Sequence, residues 1–401
     1  MKWEKVRLSD CCISIADGDH QPPPKAEYGV PFVTISNINS SNHFDFSNTM
    51  FAPQEYYDKL DNKRKAQVGD VLYSVVGSFG IPVYIKENIP FVFQRHIAIL
   101  RPNDSVLPKF LYYTMLSKAF YAKADAAAIG AAQRTVSLTA LRNIEIEVPD
   151  LQTQHRIASI LSAYDDLIEN NQKQIKLLEE AAQRLYKEWF VDLRFPNFEN
   201  TPVVDGVPEG WKKKRVADLG IVITGKTPST SKKEYYDGDI PFVTIPDMHN
   251  TVYPIHTERS LSNEGANSQK GKFIPVDSVM VSCIATVGLV NIALTECQTN
   301  QQINSIILKE KEMLYYTYCS MKRIKALLDG VGSNGATMTN VNKTKFESIE
   351  VVLPTKEIQK RFYDFCVPIF HSIKNLSFSI DNAKQARDRL LPKLMSGELE
   401  V

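Results

Sequence analysis

One segment of the chain matches a phosphate-binding motif. Residues 220–227 read Gly-Ile-Val-Ile-Thr-Gly-Lys-Thr, which fits the pattern G-x-x-x-x-G-K-[ST]. Such a loop must follow a strand and open a helix, so that backbone N–H groups can surround a phosphate. Here the four middle residues are themselves typical of a strand, and Pro228 and Ser229 beyond them are typical of a loop. We therefore interpret the segment as a strand and not as a nucleotide site.

Other signatures of an enzyme are missing from the sequence. It contains no H-E-x-x-H, C-x-x-C or G-x-S-x-G pattern. The prolines at 22–24 lack the aromatic neighbour of a base-methylating loop, and no cluster of Asp, Glu and Lys suggests a nuclease. Of the six cysteines, Cys11 and Cys12 are adjacent and the rest are scattered, which is typical of reduced thiols in a cytoplasmic protein. The sequence predicts no catalytic residue, no metal site and no bound cofactor.

Polar residues suited to DNA recur at corresponding places in the two halves of the chain. Arg reads guanine and Asn or Gln reads adenine, whereas Ser, Thr and Lys suit phosphate. The candidate DNA-binding residues are Ser36, Asn37, Gln94, Arg95, His96, Gln133, Arg134 and Thr135 in the first half, and His249, Gln301, Gln302, Asn334, Thr337 and Asn340 in the second. Each alone also fits a solvated loop or turn cap. As a set recurring in both halves, they favour recognition.

Composition excludes simple electrostatic attraction to DNA. The 401 residues carry a net charge of +1, so any DNA contact must come from local patches such as Lys212–Arg215 or be shared with a partner. The uncharged residues 278–295 are long enough to span a bilayer, but their Ser, Thr, Gly and Asn content favours a buried β-hairpin, as at residues 71–85. The start of the chain lacks an apolar signal core. We expect a cytoplasmic protein without a membrane segment.

The chain repeats itself. Residues 31–35, Pro-Phe-Val-Thr-Ile, return unchanged 210 residues later, and the run Glu-Ile-Glu-Val-Pro at 145–149 returns 205 residues later as Glu-Val-Val-Leu-Pro. This period is far too long for a solenoid or a propeller. The sequence predicts two diverged copies of one unit.

The first part of each copy is rich in short β-type runs. In the first copy the predicted strands are residues 30–35, 70–76, 81–85, 91–100 and 143–148. Residues 108–123, which begin with proline, predict one helix, and residues 311–329 are its counterpart. The pattern predicts an α+β globular domain.

The second part of each copy predicts one long helix with a coiled-coil seam. In the first copy one seam position holds Leu161, Ile168, Ile175, Ala182 and Trp189, and the other holds Ile157, Tyr164, Asn171, Leu178 and Leu185. The same positions 205 residues later hold Cys366, Ile373, Ile380, Arg387 and Leu394, and Phe362, Ile369, Leu376, Ala383 and Leu390. The helix at about 155–190 would span roughly 50 Å and needs a partner. The equivalent helix of the other copy is the simplest partner.

Three residues interrupt this seam or its helix. Asn171 and Arg387 are polar, and they either tolerate a partly wet seam or determine its register or a contact with another subunit. Pro368 either kinks the second helix or marks where it begins.

This order of features resembles the DNA-specificity subunit of Type I restriction-modification systems. The resemblance covers nearly the whole chain. The matching residues are Trp211 with 212–219, the repeated 31–35 and 241–245, 69–72 with 277–280, Val148-Pro149 with Gln152, Gln154 and Arg156, Leu353-Pro354 with Glu357, Gln359 and Arg361, and the closing Leu-Leu-Pro-Lys-Leu-Met-Ser-Gly-Glu at 390–398.

The resemblance implies two α/β target-recognition domains in tandem repeat, separated by two long antiparallel coiled-coil helices. Each domain of such a subunit reads one half of a split site in double-stranded DNA, and the helices set the spacer. The subunit is not catalytic: it binds two modification subunits, which bring S-adenosylmethionine, and restriction subunits that use ATP join the full complex. The implied boundaries are 1–152 and 211–355 for the domains, 153–194 and 356–401 for the helices, and 195–210 for a linker.

Two other classes of protein remain open at this point. A stand-alone methyltransferase or nuclease would act on DNA without partners. A coiled-coil scaffold would bind DNA without sequence preference. The second copy also departs from the first at its junction, where Thr355, Lys356 and Glu357 stand in place of Asp150, Leu151 and Gln152, so the two partner-binding surfaces need not be equivalent.

Overall fold

The computed structural model describes residues 3–39, 42–131, 133–324 and 340–401. The chain divides into two compact units. Met1–Leu167 and Ala383–Val401 form the first unit, and Ile168–Asn382 form the second unit. Each unit contains one copy of the β-rich domain together with segments of both long helices.

The described residues of the first unit form three sheets. Its strands are β1 (Glu4–Arg7), β2 (Cys12–Asp17), β3 (Val30–Val33), β4 (Met50–Ala52), β5 (Val71–Ser74), β6 (Pro82–Tyr84), β7 (Val92–Phe93), β8 (Ile97–Pro102) and β9 (Glu145–Val148). Its helices are α1 (Gln54–Asp58), α2 (Pro108–Leu116), α3 (Lys118–Ala126), α4 (Leu138–Asn143) and the start of α5 (Leu151–Phe190). The strand orders are β2-β8-β5-β6, β4-β3-β7 and β1-β9. Pairing is antiparallel except between β3 and β7.

The second unit repeats this topology strand for strand. Its domain contains β12 (Lys212–Arg215), β13 (Gly220–Thr224), β14 (Tyr236–Val243), β15 (Arg259–Leu261), β16 (Val279–Ser282), β17 (Val290–Ile292), β18 (Gln298–Thr299), β19 (Ile303–Leu308) and β20 (Glu350–Leu353). The helices are α6 (Val216–Leu219), α7 (Asn263–Asn267), α8 (Leu314–Met321), α9 (Lys343–Ser348) and α10 (Lys356–Met395), whose end belongs to the first unit. The orders β13-β19-β16-β17, β15-β14-β18 and β12-β20 confirm the predicted duplication.

The central strands are apolar on both faces because they lie between two layers. In β5, Val71 and Tyr73 pack towards the helices, whereas Leu72 faces a second cluster with Phe93 and Ile99. All four residues of β5 and of β16 are buried. Strands covered on both faces lack the alternation of a half-exposed strand. The predicted hairpins at 71–85 and 278–295 are confirmed as β5–β6 and β16–β17.

Two predicted elements are wrong in their extent. The helix predicted at 108–123 is two helices, because Ser117 is extended (ψ 146°) and its hydroxyl accepts the Phe120 N–H as the cap of α3. The strand predicted at 91–100 is also two strands, β7 and β8, with a turn at 94–96. The counterpart helix predicted at 311–329 begins with a 3-10 turn, Lys311–Met313, before α8, and residues 325–329 lie outside the described residues.

The residues between α5 and β12 have their own structure. Phe198–Asn200 form a 3-10 turn, and β10 (Val203–Val204) pairs with β11 (Val207–Pro208). Asp205 and Gly206 between these strands both have positive φ, as a tight two-residue hairpin turn requires.

The predicted seam is confirmed within each unit. In the first unit, Ile157 and Leu161 of α5 share a core with Leu391 and Leu394 of α10. In the second unit, Asn171 approaches Ser379, and nineteen residues further along α5 the ring of Phe190 lies 5.0 Å from that of Phe362. The residue numbers rise along α5 and fall along α10, so the helices pair antiparallel.

The polar seam residues have specific partners. The Asn171 side chain, 4% exposed, donates to the Ser379 hydroxyl at 3.0 Å. Arg387 donates to Asp165 at 2.7 Å, and the Tyr113 hydroxyl donates to the same carboxylate at 2.6 Å. These bonds supply partners to polar groups whose burial would otherwise destabilise the fold. They favour the interpretation that Asn171 and Arg387 determine the register of the seam over the alternative that the seam is partly wet. Since α10 begins at Lys356, the alternative that Pro368 marks its start is wrong.

Candidate nucleic-acid interface

In the first unit, three of the predicted polar segments converge beside the end of β5. The Gln94 N–H donates to the Val33 carbonyl at 3.1 Å, which joins the 94–96 turn to the end of β3. The Val75 N–H donates to the His96 carbonyl at 2.8 Å, and the Val136 N–H donates to the Val75 carbonyl at 2.9 Å. These main-chain bonds place the segments that contain Ser36, Gln94 and Gln133 on one continuous group of loops.

The 94–96 turn presents side chains suited to base edges. Arg95 is exposed, whereas Gln94 and His96 are half-buried. Burial, and to a lesser extent the positive charge of Arg95, lower the pKa of His96 below its ordinary value. The imidazole is therefore neutral at pH 7 and offers one donor and one acceptor.

The other candidates of the first unit also have structural roles. Asn37 accepts the Thr34 N–H at 2.9 Å and caps the 3-10 turn Ile35–Asn37, and the Ser36 and Thr34 hydroxyls are 2.7 Å apart. Arg134 pairs with the Asp125 carboxylate at 2.8 Å and also donates to the Asp125 carbonyl. Such bonds position these side chains, and they also occupy part of their capacity to bind DNA.

Thr135 and Gln133 lie beside Arg134. Thr135 exchanges two backbone hydrogen bonds with Ile129, at 2.8 and 2.9 Å. Gln133 is exposed, and its amide nitrogen lies close to Gly77.

The second unit builds the same framework from different residues. The Asn300 N–H donates to the Val243 carbonyl at 3.1 Å, and the Cys283 N–H donates to the Gln302 carbonyl at 2.8 Å. The Val341 N–H donates to the Cys283 carbonyl at 2.7 Å. These bonds correspond one by one to those of Gln94, Val75 and Val136, so the two turns occupy equivalent positions in their units.

The second turn carries three amides, where the first carries one amide, a guanidinium and a neutral imidazole. Gln301 is exposed and accepts the Thr227 hydroxyl at 2.7 Å, and Gln302 accepts from Asn300 at 3.0 Å. Asn340 is exposed and forms a β-bridge with Ile284.

Three predicted residues do not join this group. His249 is exposed, but the carbonyls of its neighbours Met248 and Thr251 are bound by Asn291 of the edge strand β17, which holds its loop there. Asn334 and Thr337 lie outside the described residues.

A buried ionic network behind the first turn was missed in the sequence. Asp19 is only 7% exposed, accepts the Tyr56 hydroxyl at 2.9 Å and pairs with Arg64 at 3.3 Å. The Asp19 carbonyl accepts the Arg95 N–H at 3.0 Å, so the network supports the turn directly. No local spacing signals it, because Asp19 and Arg64 are far apart in the chain.

At the equivalent place the second unit uses amides and one lysine. Gln269 donates to the Lys226 carbonyl and to the Gln298 side chain, both at 2.7 Å, and Lys272 donates to the Thr224 carbonyl at 2.9 Å. Gln269 and Gln298 are both buried.

The motif at 220–227 has the structure predicted for it. Its middle residues belong to β13, which pairs with β19, and a loop follows. A Cβ on Gly225 would lie 2.2 Å from the Asn300 carbonyl oxygen. The glycine therefore permits close packing of two backbones, and the motif does not open a helix as a phosphate loop must.

The described residues contain neither a metal-binding cluster nor a membrane-spanning helix. No group of three or more His, Cys, Asp or Glu residues there is arranged to hold a metal ion. No helix in the described part of the chain is long and apolar enough to cross a membrane.

Each unit thus contains one copy of an α+β domain, segments of both long helices and a matched polar turn. The family model for the Type I restriction modification DNA specificity domain matches residues 1–180 and 208–377. The specificity subunit of the Type I restriction enzyme HindI from Haemophilus influenzae is 32% identical and covers 99% of both chains. The MjaIX specificity subunit from Methanocaldococcus jannaschii is 29% identical over 100% of this chain and 94% of its own.

The fold is also that of a solved structure. The crystal structure of the Type-I restriction-modification system S subunit from M. genitalium matches with a TM-score of 0.58 at 14% identity, over 98% of this chain and 96% of that one. The chain belongs to the family of Type I restriction-modification DNA-specificity subunits. This confirms the predicted family and the predicted fold, and it makes the chain a DNA-recognition component and not a catalytic one.

Proposed function

We propose that each unit reads one half of a split site in double-stranded DNA through its group of converging loops. The observation that supports this most is the matched framework itself. Equivalent main-chain bonds position the 94–96 turn and residues 300–302, yet their side chains are Gln-Arg-His in one unit and Asn-Gln-Gln in the other. One framework with different side chains is what two readers of different sequences require.

Residue roles follow from the chemistry of each turn. Arg95 is the exposed guanidinium of the first turn and suits the O6 and N7 acceptors of guanine. Gln301 and Gln302 are amides and suit the N6 and N7 atoms of adenine. Gln133 extends the first surface, and Asn340 extends the second.

The paired helices act as the spacer and as the docking site for two modification subunits. Those partners bring S-adenosylmethionine and supply part of the phosphate-binding surface, which accounts for a reader whose net charge is only +1. Restriction subunits that use ATP complete the assembly. The chain itself binds no cofactor and works in the cytoplasm.

The experiment that tests this function is adenine-methylation mapping of DNA from cells that make this chain with its modification subunit. We expect a split motif with a fixed spacer that disappears when this chain is deleted. A methylation pattern that does not depend on this chain would refute the proposal.

The spacer role has its own test. Inserting or deleting residues of α5 between 165 and 185, with compensating changes in α10, should change the spacer and leave both half-sites unchanged. Altered half-site sequences in such variants would rule out a spacer role for the helices.

A further inference from the structure

A buried serine holds the tip of the β5–β6 hairpin in the first unit. The hydroxyl of Ser74, which is fully buried, donates to the Ser78 carbonyl at 3.0 Å and accepts the Ile81 N–H at 2.9 Å. The Gly80 N–H donates to the Ser74 carbonyl at 3.0 Å. Three bonds to one buried residue hold the loop in a fixed position, as a contact surface requires.

The second unit repeats this construction in the β16–β17 hairpin. Ser282 is also fully buried, and its hydroxyl donates to the Thr286 carbonyl and accepts the Leu289 N–H. Its carbonyl accepts the Gly288 N–H at 3.0 Å. The tip is therefore part of the same duplicated framework as the polar turns.

Each tip exposes two neighbouring residues. They are Gly77 and Ser78 in the first unit and Ala285 and Thr286 in the second. Among the described residues, nothing forms a hydrogen bond with the hydroxyl of Ser78 or of Thr286, although both carbonyls are bonded. Each tip thus presents, on a fixed backbone, a hydroxyl that has no hydrogen-bond partner in the described part of the chain.

Each tip also adjoins the residues proposed to contact DNA. The Gly77 N–H donates to the Arg134 carbonyl at 3.0 Å, and a Cβ at Gly77 would lie 3.7 Å from the amide nitrogen of Gln133. In the second unit, Ile284 forms a β-bridge with Asn340. DNA that touches these neighbours would therefore be within reach of the tip.

The backbone of the second tip is held in a disfavoured conformation. Ala285 has a φ of 64°, in the left-handed region, where Gly77 has a φ of 70°. A residue with a Cβ is disfavoured there, whereas glycine is not. Such conformations persist where the surroundings enforce them, and they cluster at functional sites.

We propose that Ser78 and Thr286 are specificity-determining DNA contacts, one for each half-site. The proposal rests on the proposed function and adds residues that the polar turns do not include. A hydroxyl can donate to or accept from a base edge, and the methyl group of Thr286 also suits the methyl group of thymine. The two tips would therefore favour different bases although their backbones match.

The test uses the complex of this chain with its modification subunits. Binding is measured to duplexes that carry the full site, and to duplexes in which one half-site is replaced. Ser78→Ala should weaken binding about 3- to 10-fold through the first half-site only, as expected for one lost hydrogen bond. Thr286→Ala should do the same through the second half-site only. Each variant is the matched control of the other.

A second pair of variants separates the hydroxyl from the methyl group. Thr286→Ser keeps the hydroxyl, so it should retain most of the affinity and lose discrimination at the contacted base. Ser78→Thr makes the reverse change in the first unit, because it keeps the hydroxyl and adds a methyl group.

Several results would overturn the proposal. They are no change for either alanine variant, a loss shared by both half-sites, or an equal loss on every sequence of one half-site, which would indicate a phosphate contact. If the wild-type complex itself ignores replacement of either half-site, the proposed function fails, and not the tip assignment alone.

Discussion

The two units support equivalent turns with different chemistry. Behind the first turn, Asp19 pairs with Arg64 and accepts from Tyr56. Behind the second, the buried amides of Gln269 and Gln298 bond to each other and to main-chain carbonyls. The first support is an ion pair, whereas the second consists of amides and one lysine that donates to a main-chain carbonyl, yet the turns that they hold have corresponding backbone bonds.

The comparison of the two supports shows which part of the framework can diverge. The turns are positioned by main-chain groups, which every residue type except proline supplies in full. Side chains behind and on the turns can therefore change together while the main-chain bonds that position the turns are kept. A reader of this kind can acquire a new target while its strands and helices remain the same.

In the helix seam, unlike in the supports behind the turns, both units place a buried apolar residue at the matching position. Truncation of these seam residues should give the largest loss of stability. In the second unit Phe362 is fully buried, and its ring contacts those of Trp189 and Phe190. Ile157 occupies the matching position of the first unit. We expect Phe362→Ala to lower the free energy of unfolding by about 3–5 kcal/mol and Ile157→Ala by about 2–5 kcal/mol, measured by urea denaturation.

The control for this prediction lies three residues along the same helix. Phe365 is 52% exposed, so Phe365→Ala should change the free energy of unfolding by less than about 0.5 kcal/mol. This control matters because any partner that covers Phe365 would be absent from the isolated chain. If Phe362→Ala lowers the free energy of unfolding as little as is expected for Phe365→Ala, the seam does not stabilise the second unit.

Alkaline pH should also destabilise the two units to different extents. Burial raises the pKa of Tyr186 to about 12, and it also raises the pKa of Tyr316 and Tyr318, in the same unit, well above the ordinary value of a tyrosine. Their unfolded-state pKa is about 10, so the unfolded chain loses its protons first. The stability that they contribute is full below about pH 10, and it is lost as the pH rises from there towards their folded-state pKa.

Tyrosinate absorbance during unfolding at several pH values would measure this loss. In the first unit burial raises the pKa of Tyr112 to about 12 and that of Tyr113 further, so this unit should weaken too, with fewer tyrosines behind the effect. Stability that stays constant from pH 10 to 12 would contradict the prediction.

Substitutions on the turns sharpen the comparison of recognition. Arg95→Ala should weaken the first half-site by about 1–3 kcal/mol if the guanidinium reads guanine, and it should leave the second half-site unchanged. Arg95→Lys keeps the charge but loses paired hydrogen bonding, so it should restore affinity without restoring discrimination. Half-site binding by the assembled complex measures both effects. Full rescue by lysine would assign Arg95 to phosphate.

Smaller effects are expected where a side chain is already engaged within the protein. Gln301 accepts the Thr227 hydroxyl, and Arg134 is paired with Asp125. We therefore expect Gln301→Ala and Arg134→Ala to weaken their own half-sites by about 1 kcal/mol, the lower end of the range for base contacts. A loss at Arg134 as large as that at Arg95 would mean that its ion pair opens on DNA.

Regularities that are local in the sequence were predictable. The heptad pattern identified the seam, including Ile157 and Phe362, because its period is short and both copies share it. Tyr186 and Phe190 lie outside that pattern and are nevertheless buried, because the recognition domain covers a further face of the helix: the ring of Tyr316 lies 5.5 and 5.0 Å from theirs. Packing of a domain against a helix does not produce a periodic pattern in the sequence.

The candidate site was predictable only in its residue types. The bond from Gln94 to Val33 joins the 94–96 turn to the end of β3, and Asp19 reaches Arg64 across the domain. Such contacts depend on sheet topology, which a single sequence does not specify. The hairpin tips did leave a signal, since Ser74 and Ser282 begin the similar runs Ser-Val-Val-Gly-Ser-Phe-Gly and Ser-Cys-Ile-Ala-Thr-Val-Gly. The apolar content of these runs predicts burial of the whole hairpin. It gives no indication that Gly77 and Ser78, or Ala285 and Thr286, are exposed between buried residues.

The smallest expected effect concerns the backbone of the tips. Ala285→Gly relieves a left-handed conformation worth roughly 1–2 kcal/mol but adds flexibility to the unfolded chain, so the net gain should be about 0.5 kcal/mol. Gly77→Ala makes the reverse change, with room for the Cβ beside Gln133, and should lower stability by about 1 kcal/mol.

Thermal unfolding measures both changes, and binding to each half-site is measured in parallel. If the strain at Ala285 helps to present Thr286, the glycine variant will be more stable and yet bind the second half-site less tightly. A variant that gains stability and keeps its affinity would mean that the fixed backbone around Ser282 suffices to present the tip.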